Sequence, residues 1–439
     1  MPAAPSAIRD YSVPGGFEPR DEVRDNRLGG ITSRGRFEPR ELAAIAERLS
    51  LHGSRAIASV PRARRIDVWS EVIDTFLEPR TRERERVLMP LQQSSGLSAE
   101  GITEALFVVL GGAAAGPARA LADRAMPAAA AEHSGCCGVV LPGNIPAIAV
   151  QSLLPALLLG RPVLFKNASA EPWFTPALID ALAAREPALA LGFAAVTFPG
   201  DDEASFSAAF GGVERLLAYG SGPAVESQRE RFGARLLAQG PKASVALVGT
   251  DVDLVGTARA LARDIALFDQ RGCLSVQAVF TDGDPGELAD ALAWALELES
   301  ARLPAGPIDR ALAAAVQQLR AEAALRQGAR RVPVLDLVAG TVLIESELFF
   351  RPVPGLRTVR VHGVRELRQA LTAFAPWSGR LQGAALSGSA ALALAEDLRE
   401  LGFSRLAPAG ELQSVEAGWH NGGVDPLAIF TATEPRLTS

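Results

Sequence analysis

Lysine is almost absent from this sequence of 439 residues. Of the 44 basic residues only Lys166 and Lys242 are lysines, so the remaining 42 are arginines. An ammonium is a compact charge on a flexible stem, whereas a guanidinium is a broad plane, and the two are not interchangeable. The two lysines therefore either persist by chance or mark sites that require an ammonium.

Cysteine is also scarce, with Cys136, Cys137 and Cys273 as its three examples. Three thiols provide no disulfide framework, and adjacent cysteines rarely bridge to each other. Such usage is typical of the reducing cytoplasm, where we expect this protein to lie.

Neither an excess of positive charge nor a long apolar run is present. The net charge of −6 argues against nucleic acid or an anionic membrane as the main partner. No apolar run reaches about 18 residues without a polar interruption, and residues 1–11 lack the apolar core of a signal peptide, so we expect no membrane span. The histidines are too scattered to predict a metal site; they are His52, His133, His362 and His420.

Strand-like and helix-like segments alternate from residue 138 onward, which is typical of parallel, doubly wound sheets. We therefore predict an α/β protein with two such domains, at 131–243 (dinucleotide-binding) and 244–406. Residues 1–130 form an N-terminal arm with little helix, up to about residue 40, followed by a helical region. Residues 407–439 form a C-terminal arm that packs back or crosses to another subunit, and we expect a homo-oligomer.

Short apolar runs predict the strands, and longer periodic segments predict the helices. For the first sheet the strands are 137–141, 162–165, 194–198, 216–219 and 235–238, with helices at 145–159, 174–184, 202–210 and 225–231. For the second the strands are 244–248, 276–280, 332–335, 341–344, 358–361 and 382–386, with helices at 257–268, 285–300, 308–326, 366–374 and 390–401.

A cysteine stands where a predicted helix meets a predicted strand. Cys273 lies in the stretch 269–275, which reads Asp-Gln-Arg-Gly-Cys-Leu-Ser. A thiol at such a junction, next to glycine, can face a cleft and act as a nucleophile. An ordinary buried thiol is the alternative, since free cysteine is among the most buried residue types.

Polar and glycine residues follow strands of the first predicted sheet. Asn144 is placed either to donate its amide to a developing oxyanion or to cap a helix. Lys166 ends the second strand, where a nucleotide ribose would lie, and Gly220-Ser221 follows the fourth as a candidate nucleotide edge. By itself the glycine motif is weak, because Val225 stands where a dinucleotide fingerprint has glycine.

In this order and spacing, these residues resemble the aldehyde dehydrogenase superfamily over about residues 130–410. Asn144 matches its strand-to-helix Asn, Lys166 its ribose-binding Lys, Gly220-Ser221 its Gly-Ser turn and Cys273 its catalytic Cys. Lys242, in Gly-Pro-Lys, matches the lysine of its Gly-Gly-Lys motif. Both lysines of the chain thus fall on motif positions of the superfamily.

Within the superfamily the sequence most resembles the acyl-CoA reductases known from fatty-aldehyde synthesis in bacterial bioluminescence. The matching motifs are Pro-Gly-Asn-Ile-Pro at 142–146, Gln-Arg-Gly-Cys-Leu-Ser at 270–275 and Trp-His-Asn-Gly at 419–422. Hydrolytic dehydrogenases carry a general-base Glu four residues before the Gly-Gly-Lys lysine, and that position is Ala238 here. Without a base to activate water, a cysteinyl thioester survives long enough to accept a hydride.

The resemblance implies an NAD(P)H-dependent reduction of acyl-CoA or another acyl-carrier thioester to an aldehyde. Cys273 is then the nucleophile and Asn144 the oxyanion donor. NADPH is favoured over NADH, because Ser169 stands where NAD-preferring members have a Glu that binds the ribose 2′-hydroxyl. Glu171, two residues on, is the other group that a shifted loop could bring to the ribose.

Two other functions are open. A reductase of acyl phosphates would need clustered basic groups near the thiol, and only Arg263 and Arg271 are close in sequence to Cys273. A catalytically silent subunit would only keep the fold, and the intact Asn144, Lys166 and Cys273 argue against it.

Overall fold

The computed structural model describes residues 7–25, 32–125, 135–220, 222–325, 330–332 and 339–431. These residues form two compact units. The first contains the described residues up to Gly240, together with Val415–Trp419 and those from Val424 onward. The second contains the described residues of Pro241–Ser414 together with His420–Gly423, so the C-terminal segment contributes to both units.

The N-terminal region combines a small sheet with a group of helices. Its strands pair in the order β1-β3-β2 and are β1 (Ile8–Arg9), β2 (Asp21–Asp25) and β3 (Thr32–Arg36). The helices are α1 (Pro39–Ala58), α2 (Arg62–Leu77), α3 (Arg82–Ser95), α4 (Ala99–Gly111) and α5 (Ala115–Arg124). In α1, Leu42, Ile45 and Leu49 recur at helical spacing and are fully buried, which explains why this segment forms a helix against the core.

One apolar segment, 99–124, has the length and composition of a membrane-spanning helix. It folds as the separate helices α4 and α5, and half of its apolar window is buried inside the unit. Leu106 and Leu110 are fully buried, and α4 and α5 both pack against α2. The segment therefore behaves as core helices of the first unit.

The first unit contains a parallel, doubly wound sheet of five strands. Its strands are β4 (Cys137–Val140), β5 (Val163–Lys166), β6 (Phe193–Val196), β7 (Arg215–Tyr219) and β8 (Leu236–Gln239), in the order β6-β5-β4-β7-β8. Its helices are α6 (Val150–Leu159), α7 (Phe174–Arg185), α8 (Glu203–Phe210) and α9 (Gly222–Phe232). The chain reverses its direction of travel across the sheet between β4 and β7, which is where such sheets bind ligands.

An N-terminal segment pairs with the outer strand of this sheet. Ser12 and Ala195 exchange both backbone hydrogen bonds, at 2.8 and 2.7 Å, in antiparallel register. The segment thereby covers part of the β6 edge with main-chain partners.

The second unit contains a larger sheet. Its strands are β9 (Ala243–Val248), β10 (Val276–Thr281), β11 (Arg330–Val332), β12 (Thr341–Glu345), β13 (Thr358–Gly363), β14 (Leu381–Ser387) and β15 (Arg405–Pro408). They lie in the order β11-β12-β13-β10-β9-β14-β15, and β11 pairs antiparallel while the other pairs are parallel. The helices are α10 (Leu254–Ala266), α11 (Pro285–Arg302), α12 (Arg310–Leu325), α13 (Ala370–Phe374), α14 (Ser389–Leu392) and α15 (Ala395–Glu400).

The predicted α/β architecture is confirmed, and most predicted elements fall within a few residues of the observed ones. Helix α6 begins at Val150 rather than at 145, because Pro146 opens a turn in which Ala147 has φ +61°. The predicted helix 390–401 is split into α14 and α15, and α13 covers only the end of the predicted helix 366–374. The pairing of the N-terminal arm into β1, β2 and β3 was not predicted, nor was β15.

The predicted strand 332–335 is displaced. The observed strand β11 ends at Val332 and runs antiparallel to β12, whereas residues 333–338 lie outside the described part of the chain.

Candidate active site

The predicted oxyanion donor Asn144 lies at the carboxyl edge of the first sheet, together with the predicted nucleotide-binding residues Lys166 and Gly220. Asn144 follows β4, Lys166 is the last residue of β5, and Gly220 follows β7. These strands are neighbours in the sheet and flank the point at which the chain changes direction. Ser221 lies outside the described residues. Cys273 belongs to the other unit.

The loops after β4 and β5 are in direct contact. A Cβ atom added at Gly143 would lie 2.9 Å from Ala168 Cβ and 3.0 Å from Ala170 Cβ, so only glycine fits this close approach. Asn144, the next residue, lies in a bend six residues before α6, whose N-cap is Ala149. Asn144 is therefore not the helix cap, and the capping interpretation is wrong.

Lys166 is a buried ammonium at the end of β5. Its Nζ lies 5.0 Å from the centre of the Phe198 ring, a cation–π distance. Burial lowers the pKa of Lys166, and no carboxylate among the described residues contributes to that pKa. Within the part of the chain that the structure describes, this position offers a buried positive charge without a carboxylate partner.

The turn after Lys166 separates two polar side chains. Ser169 is exposed at the tip of the turn, whereas Glu171 is 1% exposed and its Oε1 accepts a hydrogen bond of 3.0 Å from the Phe174 N–H at the start of α7. Burial raises the pKa of Glu171 to about 8. The Glu171 carboxyl group thus accepts a hydrogen bond from the first turn of α7 and does not lie at the exposed tip of the turn.

Asn167 is a structural residue of this edge that the sequence reasoning missed. Its Nδ2 lies 3.2 Å from the Asp10 carbonyl oxygen, 3.3 Å from that of Pro172 and 3.2 Å from Thr197 Oγ1. It therefore ties the end of β5 to the N-terminal segment, to the start of α7 and to the residue after β6. An asparagine directly after a buried strand was the available signal.

The remaining motif residues of the first unit lie on β7 and β8. The Gly220 N–H donates to the Gln239 carbonyl at 3.2 Å, which continues the pairing of the two strands beyond Tyr219. Ala238, the position of the hydrolytic family's general base, lies within β8 opposite Ala218. No carboxylate can be supplied from this position.

The cysteine loop of the second unit begins with a left-handed turn. Phe268, Asp269 and Gln270 follow α10 with φ of +57°, +51° and +60°. A side chain in this conformation costs roughly 1–2 kcal/mol, so three in succession need external support. Cys273 then precedes β10, as the sequence predicted.

Buried polar contacts supply that support. Asp269 Oδ1 lies 2.8 Å from an Arg357 guanidinium nitrogen, and Asp269 Oδ2 accepts from the Gly306 N–H at 3.0 Å. Gln270 donates to the carbonyls of Val276 and Thr358 at 2.8 and 2.6 Å, and accepts from the Thr358 N–H at 2.8 Å. The backbone before the cysteine is thus fixed on both sides.

The thiol of Cys273 is half-buried, while Cys136 and Cys137 are fully buried. Burial raises the pKa of Cys273 to about 11, against the effects of the backbone N–H groups of Cys273 and Leu274 and of the Lys242 ammonium, which lower it. Among the described residues no imidazole or carboxylate hydrogen-bonds to its sulfur. Cys273 is therefore the most exposed of the three cysteines, and it has no partner base within the described residues.

A sequence model of one protein family, described as acyl-CoA reductase (LuxC), matches residues 125–433. The chain belongs to the acyl-CoA reductase (LuxC) family. This match confirms the family resemblance that the sequence motifs indicated.

Curated relatives of this LuxC-family chain include two bacterial proteins. One is the long-chain acyl-protein thioester reductase of Aliivibrio fischeri, 24% identical over 312 residues, which are 68% of this chain and 63% of that protein. Another is long-chain acyl-protein thioester reductase 2 of Photobacterium leiognathi, 28% identical over 173 residues, which are 38% of this chain and 36% of that protein. The matches span between about a third and just under two thirds of these relatives.

Solved structures of aldehyde dehydrogenases share the fold of the LuxC-family chain. Methylmalonate-semialdehyde dehydrogenase of Oceanimonas doudoroffii matches with a TM-score of 0.73 and 14% identity, over 98% of this chain and 97% of that one. NADP-dependent glyceraldehyde-3-phosphate dehydrogenase of Bacillus halodurans, complexed with NADP, matches with a TM-score of 0.69 and 16% identity, over 94% of this chain and 91% of that one. The aldehyde-dehydrogenase-like fold is thereby confirmed.

We predict that Glu171 makes the stability of the protein fall as pH rises. Its folded pKa of about 8 lies above its ordinary value, so between pH 5 and 8 the folded state holds a proton that the unfolded state has lost. Each pH unit in this window should then remove about 1.4 kcal/mol of unfolding free energy. Glu171→Gln imitates the protonated form and should flatten this slope in urea unfolding between pH 5 and 8.

Glu203→Gln is the matched control, because Glu203 is exposed in the first turn of α8. It should leave the slope of the wild type in place. Equal slopes for wild type and Glu171→Gln would contradict the assignment.

Proposed function

We propose that this protein reduces an acyl thioester to an aldehyde, with Cys273 as the nucleophile. The observation that carries the proposal is the position of Cys273 in a LuxC-family chain, on a loop whose left-handed backbone is fixed by buried partners. Loops held in such strained conformations are found at sites where a reacting group must be held in place.

The chemistry follows from the thiol. The Cys273 thiolate attacks the thioester carbonyl, the new S–C bond forms as the bond to the carrier thiol breaks, and the carrier thiolate takes a proton from solvent. A bound reduced nicotinamide nucleotide supplies the hydride. Collapse of the thiohemiacetal on Cys273 then releases the aldehyde and returns the thiolate. The Asn144 amide and the Cys273 N–H are assigned as donors to the developing oxyanion.

Ala238 supports reduction over hydrolysis. A cysteinyl thioester is hydrolysed efficiently only when a base activates water, and an alanine methyl group cannot take a proton. The acyl group therefore stays on Cys273 until it accepts a hydride.

NADPH is the nucleotide that the first unit fits best. Lys166 supplies a buried positive charge at the end of β5, and the tip of the next turn carries the neutral Ser169. Glu171 is buried against the start of α7, so its carboxylate does not stand at that tip. The repulsion that a tip carboxylate would exert on a 2′-phosphate, of order 1 kcal/mol, is thus absent.

The acyl group is delivered either by CoA or by a protein thiol. The family description names acyl-CoA, whereas the relatives of Aliivibrio and Photobacterium are named as reductases of long-chain acyl-protein thioesters. Both donors present the same thioester to Cys273, so the chemistry is shared.

Replacement of the nucleophile is the first test. Cys273→Ser should retain the fold but lose both the acyl-enzyme and aldehyde production, because a serine hydroxyl without a base is a poor nucleophile. Mass spectrometry after incubation with a long-chain acyl-CoA, without nucleotide, measures the acyl-enzyme. An acyl phosphate in place of the thioester is the comparison substrate.

Cys137→Ser is the control, since that thiol is fully buried. It should remain acylated at Cys273. Aldehyde production by Cys273→Ser, or a strong preference for the acyl phosphate, would contradict the proposal.

Removal of the oxyanion donor is the second test. Asn144→Ala should lower kcat by about 100-fold, which is typical of the loss of one such donor. The dissociation constant of the nucleotide should stay close to that of the wild type. A change confined to Tm would show that Asn144 has only a structural role.

Charge at the turn after Lys166 is the third test. Ser169→Glu should shift the ratio of kcat/KM values toward NADH by roughly tenfold, because the carboxylate repels a 2′-phosphate. Ser169→Gln introduces a side chain of the same size as glutamate without its charge, so it should shift the ratio of kcat/KM values much less. A wild-type preference for NADH that Ser169→Glu leaves unaltered would show that this turn does not set the choice.

A further inference from the structure

Lys242 and Cys273 lie at the same edge of the second sheet. Strands β9 and β10 are parallel neighbours, with Ser244 paired to Val276. Lys242 stands two residues before Ser244, and Cys273 stands three residues before Val276. Both residues therefore precede adjacent strands at their amino ends.

Ser244 fastens the cysteine loop to this edge. Its Oγ donates to the Cys273 carbonyl at 2.8 Å and accepts from the Gly383 N–H at 2.9 Å, and the residue is fully buried. The hydroxyl thus has a donor and an acceptor in fixed positions. The start of β9, which carries Lys242, and the Cys273 backbone are held together by this bond.

Lys242 and Cys273 affect each other's pKa, and no carboxylate in the described part of the chain affects the pKa of Lys242. Burial lowers the pKa of Lys242, and the one other group that affects its pKa is Cys273, which raises it. Lys242 in turn is the charged side chain that lowers the pKa of Cys273.

The other charges near the loop are engaged with each other. Asp269 is paired with Arg357 at 2.8 Å and lies 3.6 Å from Arg271. Asp269 shares its one negative charge between the two guanidinium groups, and Arg271, two residues from Cys273, does not contribute to the pKa of the thiol.

We propose that Lys242 is the cation that stabilises the Cys273 thiolate, an inference that rests on the proposed function of Cys273 as nucleophile. The thiol proton passes to solvent, and the ammonium keeps its own proton while it balances the charge on sulfur. This replaces the partner base that the described residues do not provide. It also accounts for a lysine in a chain that uses arginine almost everywhere, since a compact ammonium fits beside a half-buried sulfur.

The test is the pH dependence of iodoacetamide alkylation at Cys273 in the full-length protein, followed by peptide mass spectrometry. Loss of a neighbouring positive charge raises a thiol pKa by about one unit or more. Lys242→Met should therefore alkylate about tenfold more slowly than the wild type at pH 8. Lys242→Arg, which restores the charge but spreads it over a broad guanidinium, should recover part of the rate. Lys242→Gln is a second neutral variant in case the methionine variant does not fold.

Arg271→Gln is the matched control, because it removes a cation that is close to Cys273 in sequence but does not contribute to the pKa of the thiol. Its rate should stay close to that of the wild type. Equal rates for wild type and the neutral Lys242 variants, or a Lys242→Arg rate as low as theirs, would overturn the proposal. If the wild type formed no acyl-cysteine with acyl-CoA, the proposed function would fail instead, whatever the alkylation rates.

Discussion

The buried ion pair between Asp269 and Arg357 is the constraint on which the cysteine loop depends. Arg357 is fully excluded from solvent and directly precedes β13, while Asp269 is the middle residue of the left-handed turn. Removing one partner of such a pair leaves an uncompensated buried charge, at a cost of about 3–5 kcal/mol. The turn is thus held to the sheet by a contact 88 residues away in sequence.

The loops of the two units are held in position by different physical interactions. At the carboxyl edge of the first sheet, loops approach closely because Gly143, Ala168 and Ala170 are small, and Ser169 is exposed at the tip of the turn. In the second unit the loop is immobilised by charge and by the hydrogen bonds of Gln270. In the proposed function, the first arrangement would hold the nucleotide and the second would hold the reacting sulfur in place.

Much of the fold could be predicted from the sequence, because alternating apolar runs and helical spacing are local signals. The motifs at 142–146, 270–275 and 419–422 indicated the family. The start of α6 was predicted wrongly, since the turn around Ala147 overrides an apolar pattern that continues through it. The strand Thr32–Arg36 was missed because it is polar and is defined by its partners.

The pairing of Ser12 with Ala195 has a consequence for how this molecule behaves among other copies of itself. The outer strand of an open sheet carries unused N–H and C=O groups, and a second chain can add to them and begin aggregation. Here the chain satisfies both groups of Ala195 itself. The Asp10 carbonyl of the same segment accepts a hydrogen bond from the Asn167 amide. Protection of the sheet edge and the conformation of the loop after Lys166 therefore depend on the same N-terminal segment.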